Sequence, residues 1–248
     1  MSGRPPRIYL TAGEPSGDLH GATVARALAE RLPGATLEAF GGPRMAAAGA
    51  TVLHPMERVA AFGTVEILGK LPAHVRLLGR MRRAFAEGRY DLAIVIDYPG
   101  FHLRVAEAAH RAGVPVLYYI APQLWAWRPE RAARLAKAVD RLAVVLPFEP
   151  AFFAKHGIVA EYVGHPLLDR GPMPARAEAR RRLGLDDGER VLGLFPGSRH
   201  GEVTRLWPDF RDAALALRAE GACDRVIVAG TRHDAYPDPG PIEIVRDD

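Results

Sequence analysis

Cysteine is almost missing from this chain of 248 residues: Cys223 stands alone. No disulfide can form within the chain, which fits a reducing compartment better than a secreted, bridge-stapled fold. Long apolar runs are missing too; none approaches the roughly 18 residues that span a bilayer. Residues 1–7 are polar and contain proline, and they lead into a strand rather than the apolar core of a signal peptide. These absences point to a cytoplasmic protein, with attachment to a membrane surface left open. Several chemical signatures are also absent. The chain has no Gly-x-Ser-x-Gly elbow of a hydrolase and no Lys-Ser/Thr ending that would make a P-loop. It has no Cys/His cluster with zinc spacing and no aromatic and basic module for RNA. Neither a metal site nor a nucleic-acid partner is expected.

What is present is an ordinary globular composition, 48% hydrophobic and 25% charged with a net charge of +4. That suffices for one large or two small domains. The positive balance favours anionic partners, such as phosphates, nucleotides, acidic lipid head groups or nucleic acid, without choosing among them. Apolar runs recur at 8–12, 37–40, 92–96, 116–120, 142–146, 160–163, 191–195 and 225–229, with a further candidate at 242–245. Helical patterns lie between them, clearest at 105–111 and 131–138, with a basic helix at 175–183 and another over 207–218. Buried strands alternating with amphipathic helices predict an α/β fold of parallel sheets covered by helices on both faces. A break at Gly164-His165-Pro166 predicts two Rossmann-like units, 1–165 and 166–248. The second has two or three strands, short of the five or six usual in a doubly wound domain.

Four loops and one helical stretch carry candidate chemistry. Gly13-Glu14-Pro15-Ser16-Gly17-Asp18 joins a strand to a helix. Its glycines allow a tight turn and close approach of a ligand, and amides at the helix start face outward. Two acids and a serine add acceptors, which suits a polyhydroxylated ligand; Ser16 and Asp18 as plain helix caps are the alternative. Asp97 ends the run 92–96 and precedes Tyr98-Pro99-Gly100. A carboxylate at the carboxyl end of a buried strand is placed to take a proton from a hydroxyl nucleophile, or else to cap the next helix. Pro196-Gly197-Ser198-Arg199 ends another strand. It can turn amides and a planar guanidinium towards a phosphate. Trp125 and Trp127 can line a sugar or acyl site, or pack one domain on the other. Residues 62–83 mix apolar Phe62, Val65, Ile67, Leu68 and Leu71 with basic Lys70, Arg76 and Arg80, and Gly69 and Pro72 are expected to break the stretch. It reads as an amphipathic membrane-surface element or as a core helix with a solvated basic face. His165 and His200 lie beside these loops.

In order and spacing these motifs resemble those of lipid-A-disaccharide synthases, bacterial inverting glycosyltransferases. The matching stretches are Ala12-Gly13-Glu14-Pro15-Ser16-Gly17-Asp18, Gly41-Gly42-Pro43-Arg44-Met45, Phe62-Gly63-Thr64-Val65-Glu66-Ile67-Leu68 and Ile96-Asp97-Tyr98-Pro99-Gly100-Phe101. Pro122-Gln123-Leu124-Trp125-Ala126-Trp127-Arg128, Leu146-Pro147-Phe148-Glu149, Val163-Gly164-His165-Pro166 and Pro196-Gly197-Ser198-Arg199 complete the series. The resemblance implies two facing Rossmann-like domains, the arrangement called GT-B, with the first binding the acceptor and the second, partial here, the UDP-sugar. It implies transfer of 2,3-diacylglucosamine from its UDP derivative to the 6-hydroxyl of 2,3-diacylglucosamine 1-phosphate. No metal or other cofactor is implied, and the site of action is the cytoplasmic face of the inner membrane, with the enzyme held peripherally. Carried over by motif, Asp97 becomes the candidate base. Glu14, Ser16, Gly17 and Asp18, with Trp127, line the substrate site. Gly197, Ser198 and Arg199 meet the UDP diphosphate. Phe62, Val65, Ile67, Leu68, Leu71, Arg76 and Arg80 form the membrane and acyl-chain side.

Departures accompany the match. Gly100 replaces a frequent second acid, and His102 stands where asparagine is usual. The resemblance fades beyond Val203, and family members continue further. From this the chain alone is expected to bind UDP poorly and to turn over slowly or not at all. A second copy or a complementing C-terminal polypeptide is left open as a partner. Two other readings stand beside the transferase: an enzyme like the UDP-sugar 2-epimerases, and a non-catalytic lipid-binding or assembly fragment.

Overall fold

The computed structural model describes the backbone of residues 4–58, 64–231 and 234–246, and their side chains except at 58, 64–70 and 170. Two compact units make up the chain, Met1–Gly171 and Pro172–Asp248. The division falls after Gly171, later than the 165/166 break read from the sequence. The turn Pro166–Arg170 stays with the first unit. Asp169 lies close enough to Tyr119 that its charge, after burial, helps to push that phenol's pKa up.

The first unit runs β1 (Arg7–Ala12), α1 (Pro15–Arg31), β2 (Thr36–Gly41), α2 (Pro43–Ala47), β3 (Thr51–Pro55), α3 (Thr64–Ala86) and β4 (Leu92–Ile96). It continues with α4 (Pro99–Arg111), β5 (Val116–Tyr119), α5 (Ala132–Ala136), β6 (Arg141–Val144), α6 (Glu149–Ala154) and β7 (Ala160–Tyr162). Its strands form one parallel sheet in the order β3-β2-β1-β4-β5-β6-β7. The chain winds outward from β1 on one side and from β4 on the other, so the order reverses between them. Ala12 pairs with Ile96 at the carboxyl ends of these two strands. A reversal of this kind opens a crevice at the carboxyl edge, because the loops that follow the two strands lead to opposite faces.

Side chains alternate across the sheet, as a period of two requires. Ile8, Leu10, Ala12, Ile94 and Ile96 face the core that includes Ala22 and Ala25 of α1 and Met45 of α2. Tyr9, Ala93, Val95, Val116 and Tyr118 face the larger core, with α3, α4, α5 and α6. β3 was not read from the sequence. It is an edge strand that ends in proline and pairs with β2 through a register shift between Ala39 and Phe40.

Against expectation, α3 runs unbroken through Gly69 and Pro72. A proline inside a helix removes one backbone hydrogen bond. Leu77, Leu78, Met81 and Phe85 recur at helical spacing and are buried in the larger core. Each such burial contributes roughly 1.5–3 kcal/mol, which together outweighs the break.

The second unit holds α7 (Arg176–Arg182), β8 (Val191–Leu194), α8 (His200–Ala219), β9 (Arg225–Gly230) and β10 (Glu243–Arg246). Its parallel sheet has the order β10-β9-β8. α8 begins well before the expected 207. Trp207 and Val203 of α8 pack on Leu194, Val226 and Val228, with Cys223 and Tyr236 beside them. Trp207 also donates to the Pro237 carbonyl at 2.9 Å. The fold class is the expected one, parallel α/β in two units. Among the described residues, no helix is long and apolar enough to cross a membrane.

Candidate functional site

In a parallel sheet every carboxyl end lies on one edge, so the loops after β1, β4, β5 and β6 gather there. The loop after β4 is the most constrained. Asp97 (φ 47°) and Tyr98 (φ 52°) both adopt the left-handed conformation without being glycine. Pro99 then starts α4 with its φ already suited to a helix. Asp97 is partly exposed. Its backbone is held from two sides: Tyr118 Oη donates to its carbonyl at 2.8 Å, and His102 Nδ1 lies 2.9 Å from the same oxygen.

The loop after β1 meets this one directly. A Cβ at Gly13 would stand 2.3 Å from the Tyr98 ring, so only glycine fits there. Burial, and after it the charge of Glu14, pushes the Tyr98 phenol above its ordinary pKa. Glu14 is partly exposed and Ser16 exposed, while Gly17 is buried against Ala12. Asp18 is turned inward. It is 2% exposed, and its carboxylate accepts the amides of Gly42, Arg44 and Met45 at 2.8, 3.0 and 3.1 Å. Asp18 therefore caps α2 from inside the protein, and its proposed contact with substrate is corrected to a structural one.

The loop after β5 carries the two tryptophans, which the structure separates in role. Trp125 Nε1 donates to Glu149 Oε1 at 3.1 Å, and its ring meets Phe148 edge-on. Glu149 is 1% exposed, and its other oxygen accepts the amides of Val145 and Leu146. Trp125 is thus a strut between two loops. Trp127 is 47% exposed, with the Arg128 guanidinium 5.8 Å from its ring centre. Together with Pro99, Leu103, Pro122, Leu124 and Arg131 it lines a small apolar notch beside the Asp97 loop.

Of the α3 residues, Leu71 and Val75 are exposed apolar side chains, and Arg76 and Arg80 are exposed as well. Phe62 lies outside the described residues, as do the side chains of Val65, Ile67 and Leu68. The inner face of α3 reaches the crevice through His74, whose Nε2 is 3.3 Å from Tyr98 Oη. Sequence reasoning missed His74. Its signal was its place at helical spacing with Leu77, Leu78 and Met81.

In the second unit, the turn after β8 is shaped by Gly197 (φ 138°), where a Cβ would also stand 2.6 Å from that of Glu202. The Ser198 and Arg199 amides both point at Glu202 Oε2, at 3.1 and 3.3 Å, and Arg199 pairs with Oε1. A carboxylate of the chain itself thus sits on the amides expected to meet a phosphate. His200 Nδ1 lies 2.6 Å from Asp234, which Thr231 also bonds. Among the described residues, no three His, Cys, Asp or Glu side chains gather to hold a metal ion.

Comparison with known proteins adds ancestry to this geometry. A family described as lipid-A-disaccharide synthetase matches residues 8–234. The chain is 45% identical over 213 residues to the lipid-A-disaccharide synthase of Geobacter metallireducens, covering 86% of this chain and 56% of that protein. It is 43% identical over 225 residues to that of Myxococcus xanthus, covering 90% and 59%. The chain thus spans a little over half the length of these relatives. Among solved structures, UDP-GlcNAc 2-epimerase from Neisseria meningitidis bound to UDP-GlcNAc aligns with a TM-score of 0.66 at 8% identity, over 98% of this chain and 72% of that one. The glycotransferase of kitacinnamycin aligns with a TM-score of 0.59 at 17% identity, over 97% and 70%. These structures share the fold, which is of the GT-B type. By the family match and the relatives' identity, the chain belongs to the lipid-A-disaccharide synthetase family.

Proposed function

We propose that this chain serves the transfer of 2,3-diacylglucosamine from its UDP derivative to the 6-hydroxyl of 2,3-diacylglucosamine 1-phosphate. The observation that carries the reading is Asp97, in a chain of this family, on the strand-end loop at the reversal between β1 and β4. In the proposed step the 6-hydroxyl oxygen attacks the anomeric carbon of the donor, and its proton passes to the Asp97 carboxylate. The bond from that carbon to the diphosphate breaks with inversion, and UDP leaves with the electron pair. General-base help of this kind is worth roughly 10²–10⁴-fold in rate. Glu14, Ser16 and Gly17 would hold the acceptor's hydroxyls, with Trp127 offering its exposed ring to sugar or acyl carbon. The Gly197-Ser198-Arg199 turn would receive the diphosphate, a task for fixed donors and a planar cation. No metal or other cofactor enters this scheme.

The exposed apolar and basic residues of α3 support attachment at the cytoplasmic face of the inner membrane, where Leu71 and Val75 would enter the head-group boundary and Arg76 and Arg80 would meet anionic lipid. The test is release of UDP from the two lipid substrates by the purified chain, alone and with the separately expressed C-terminal part of a relative. Transfer that appears with the complement and is lost in Asp97→Ala is the expected result. Binding of the acceptor lipid without transfer under either condition would leave a lipid-binding fragment instead.

A further inference from the structure

We propose that His102 is a positioning residue, holding Asp97 in its left-handed backbone conformation and so aiming the carboxylate. The inference rests on Asp97 as the base of the transfer above. Two consecutive non-glycine residues with positive φ are costly, and they persist only where the surroundings over-determine them. At Asp97 and Tyr98 the over-determination converges on one atom, the Asp97 carbonyl oxygen. His102 Nδ1 reaches it at 2.9 Å and the Ile96 carbonyl at 3.0 Å, while Tyr118 Oη donates to it at 2.8 Å.

The hydrogen bonds fix the tautomer of the ring. A carbonyl oxygen only accepts, so Nδ1 carries the proton. Nε2 then presents a lone pair, which accepts the Thr11 hydroxyl at 2.7 Å. Both nitrogens are spent on backbone-defining contacts, one to the loop after β4 and one to the end of β1. Phe40, Tyr98 and Phe101 close around the ring, which is 0% exposed. Of the described titratable groups, Tyr98 from the loop meets the ring and the charge of His74 from α3 acts on it, while Asp97 and Tyr118 from β5 meet it at the shared Asp97 carbonyl. Burial brings the pKa of His102 down to about 4, with the two carbonyls opposing that shift in part, so the ring stays neutral at physiological pH. It is neither exposed nor free to take a substrate proton. A residue that merely filled the core would need no match at either nitrogen. Here each edge of the ring is matched, and together they tie the loop after β4 to the end of β1 at the crevice.

The test uses the isotope-labelled full chain and three variants. His102→Leu keeps an apolar side chain and removes both bonds, His102→Asn retains a donor for the carbonyl, and Tyr118→Phe removes the second donor. In the parent, long-range proton–nitrogen spectra are expected to show a protonated Nδ1 and bare Nε2 from pH 8 to pH 5. His102→Leu should move the Asp97 Cα and Cβ chemical shifts away from left-handed values, with His102→Asn restoring most of the change. In the transfer assay, His102→Leu should lower kcat about tenfold or more with KM within about twofold, again recovered by His102→Asn. Unchanged Asp97 shifts in His102→Leu, or a proton on Nε2 in the parent, would overturn the proposal. Should His102→Leu not fold, Tyr118→Phe decides, since it leaves His102 as the side chain holding that carbonyl: Asp97 shifts that stay left-handed, with the proton still on Nδ1, support the clamp, and loss of the left-handed shifts or a proton on Nε2 overturns it. Absence of transfer by the parent counts against the function proposed above and not against the clamp, which the chemical shifts decide by themselves.

Discussion

The ring of Tyr98 fills the space that a side chain at Gly13 would need: a Cβ there would stand 2.3 Å from Tyr98 Cδ1 and 2.7 Å from Cγ. The loops after β1 and β4 are therefore in direct contact at the reversal of the strand order. The ring is held in turn by its own left-handed backbone and by His74. It has no easy way to yield, since the near atoms belong to the ring body and not to a flexible tip.

Gly13→Ala should accordingly cost about 1–3 kcal/mol, the usual penalty for overpacking. Chemical denaturation of the variant measures it. Tyr98→Ala in the same chain should recover much of that loss, because it vacates the contested space; additive losses would mean that the two residues do not compete.

Asp18→Ala should be among the more damaging single changes in the first unit. It strips three backbone amides at the start of α2 of their acceptor in a buried place. A cost of about 2 kcal/mol or more is expected. Hydrogen exchange should show the loss as faster exchange of the Arg44 and Met45 amides. A surface-like effect on stability would return Asp18 to the list of substrate contacts.

His102 makes stability depend on pH in a defined direction. Its folded pKa, about 4, lies below the ordinary value of 6.5. Between those values the unfolded chain binds more protons than the folded one, so stability rises with pH. The contribution is complete above about pH 6.5 and is lost as the pH falls towards 4, by roughly 3 kcal/mol in all. Urea midpoints taken from pH 4 to pH 8 read this slope, and His102→Leu should flatten it. An equal slope in parent and variant would assign the acid sensitivity to other groups.

Glu202→Ala separates two roles of the turn after β8. The carboxylate caps α8, so its removal should cost about 1 kcal/mol. It also occupies the Ser198 and Arg199 amides, so its removal should tighten the binding of UDP to the chain. Calorimetric titration with UDP checks this; weaker binding would mean that the nucleotide does not use these amides.

Much of the architecture was legible because its cause is local. The alternation of apolar runs and helical patterns predicts parallel α/β structure, and every run named became a strand. Asp97 stood out because a strand end followed by Pro-Gly is a pattern of neighbours. Features whose partners are remote in sequence were not legible. Asp18 looks like a helix cap or a ligand contact until α2, some two dozen residues on, folds over it. Trp125 and Trp127 read alike and part company only where Glu149 arrives from the next loop.

The one-dimensional chain determined the fold class and the stations at which chemistry could sit, since hydrophobic period and small-residue turns act over a few residues. Tertiary structure alone decided what each station does. It kept α3 whole across Pro72 by burying Leu77, Met81 and Phe85, and it turned Asp18 inward. It also set His102 between Thr11 and the Asp97 carbonyl. Those outcomes depend on which groups are dry and which donors face which acceptors. Chain neighbours do not specify that; the packing of distant segments does.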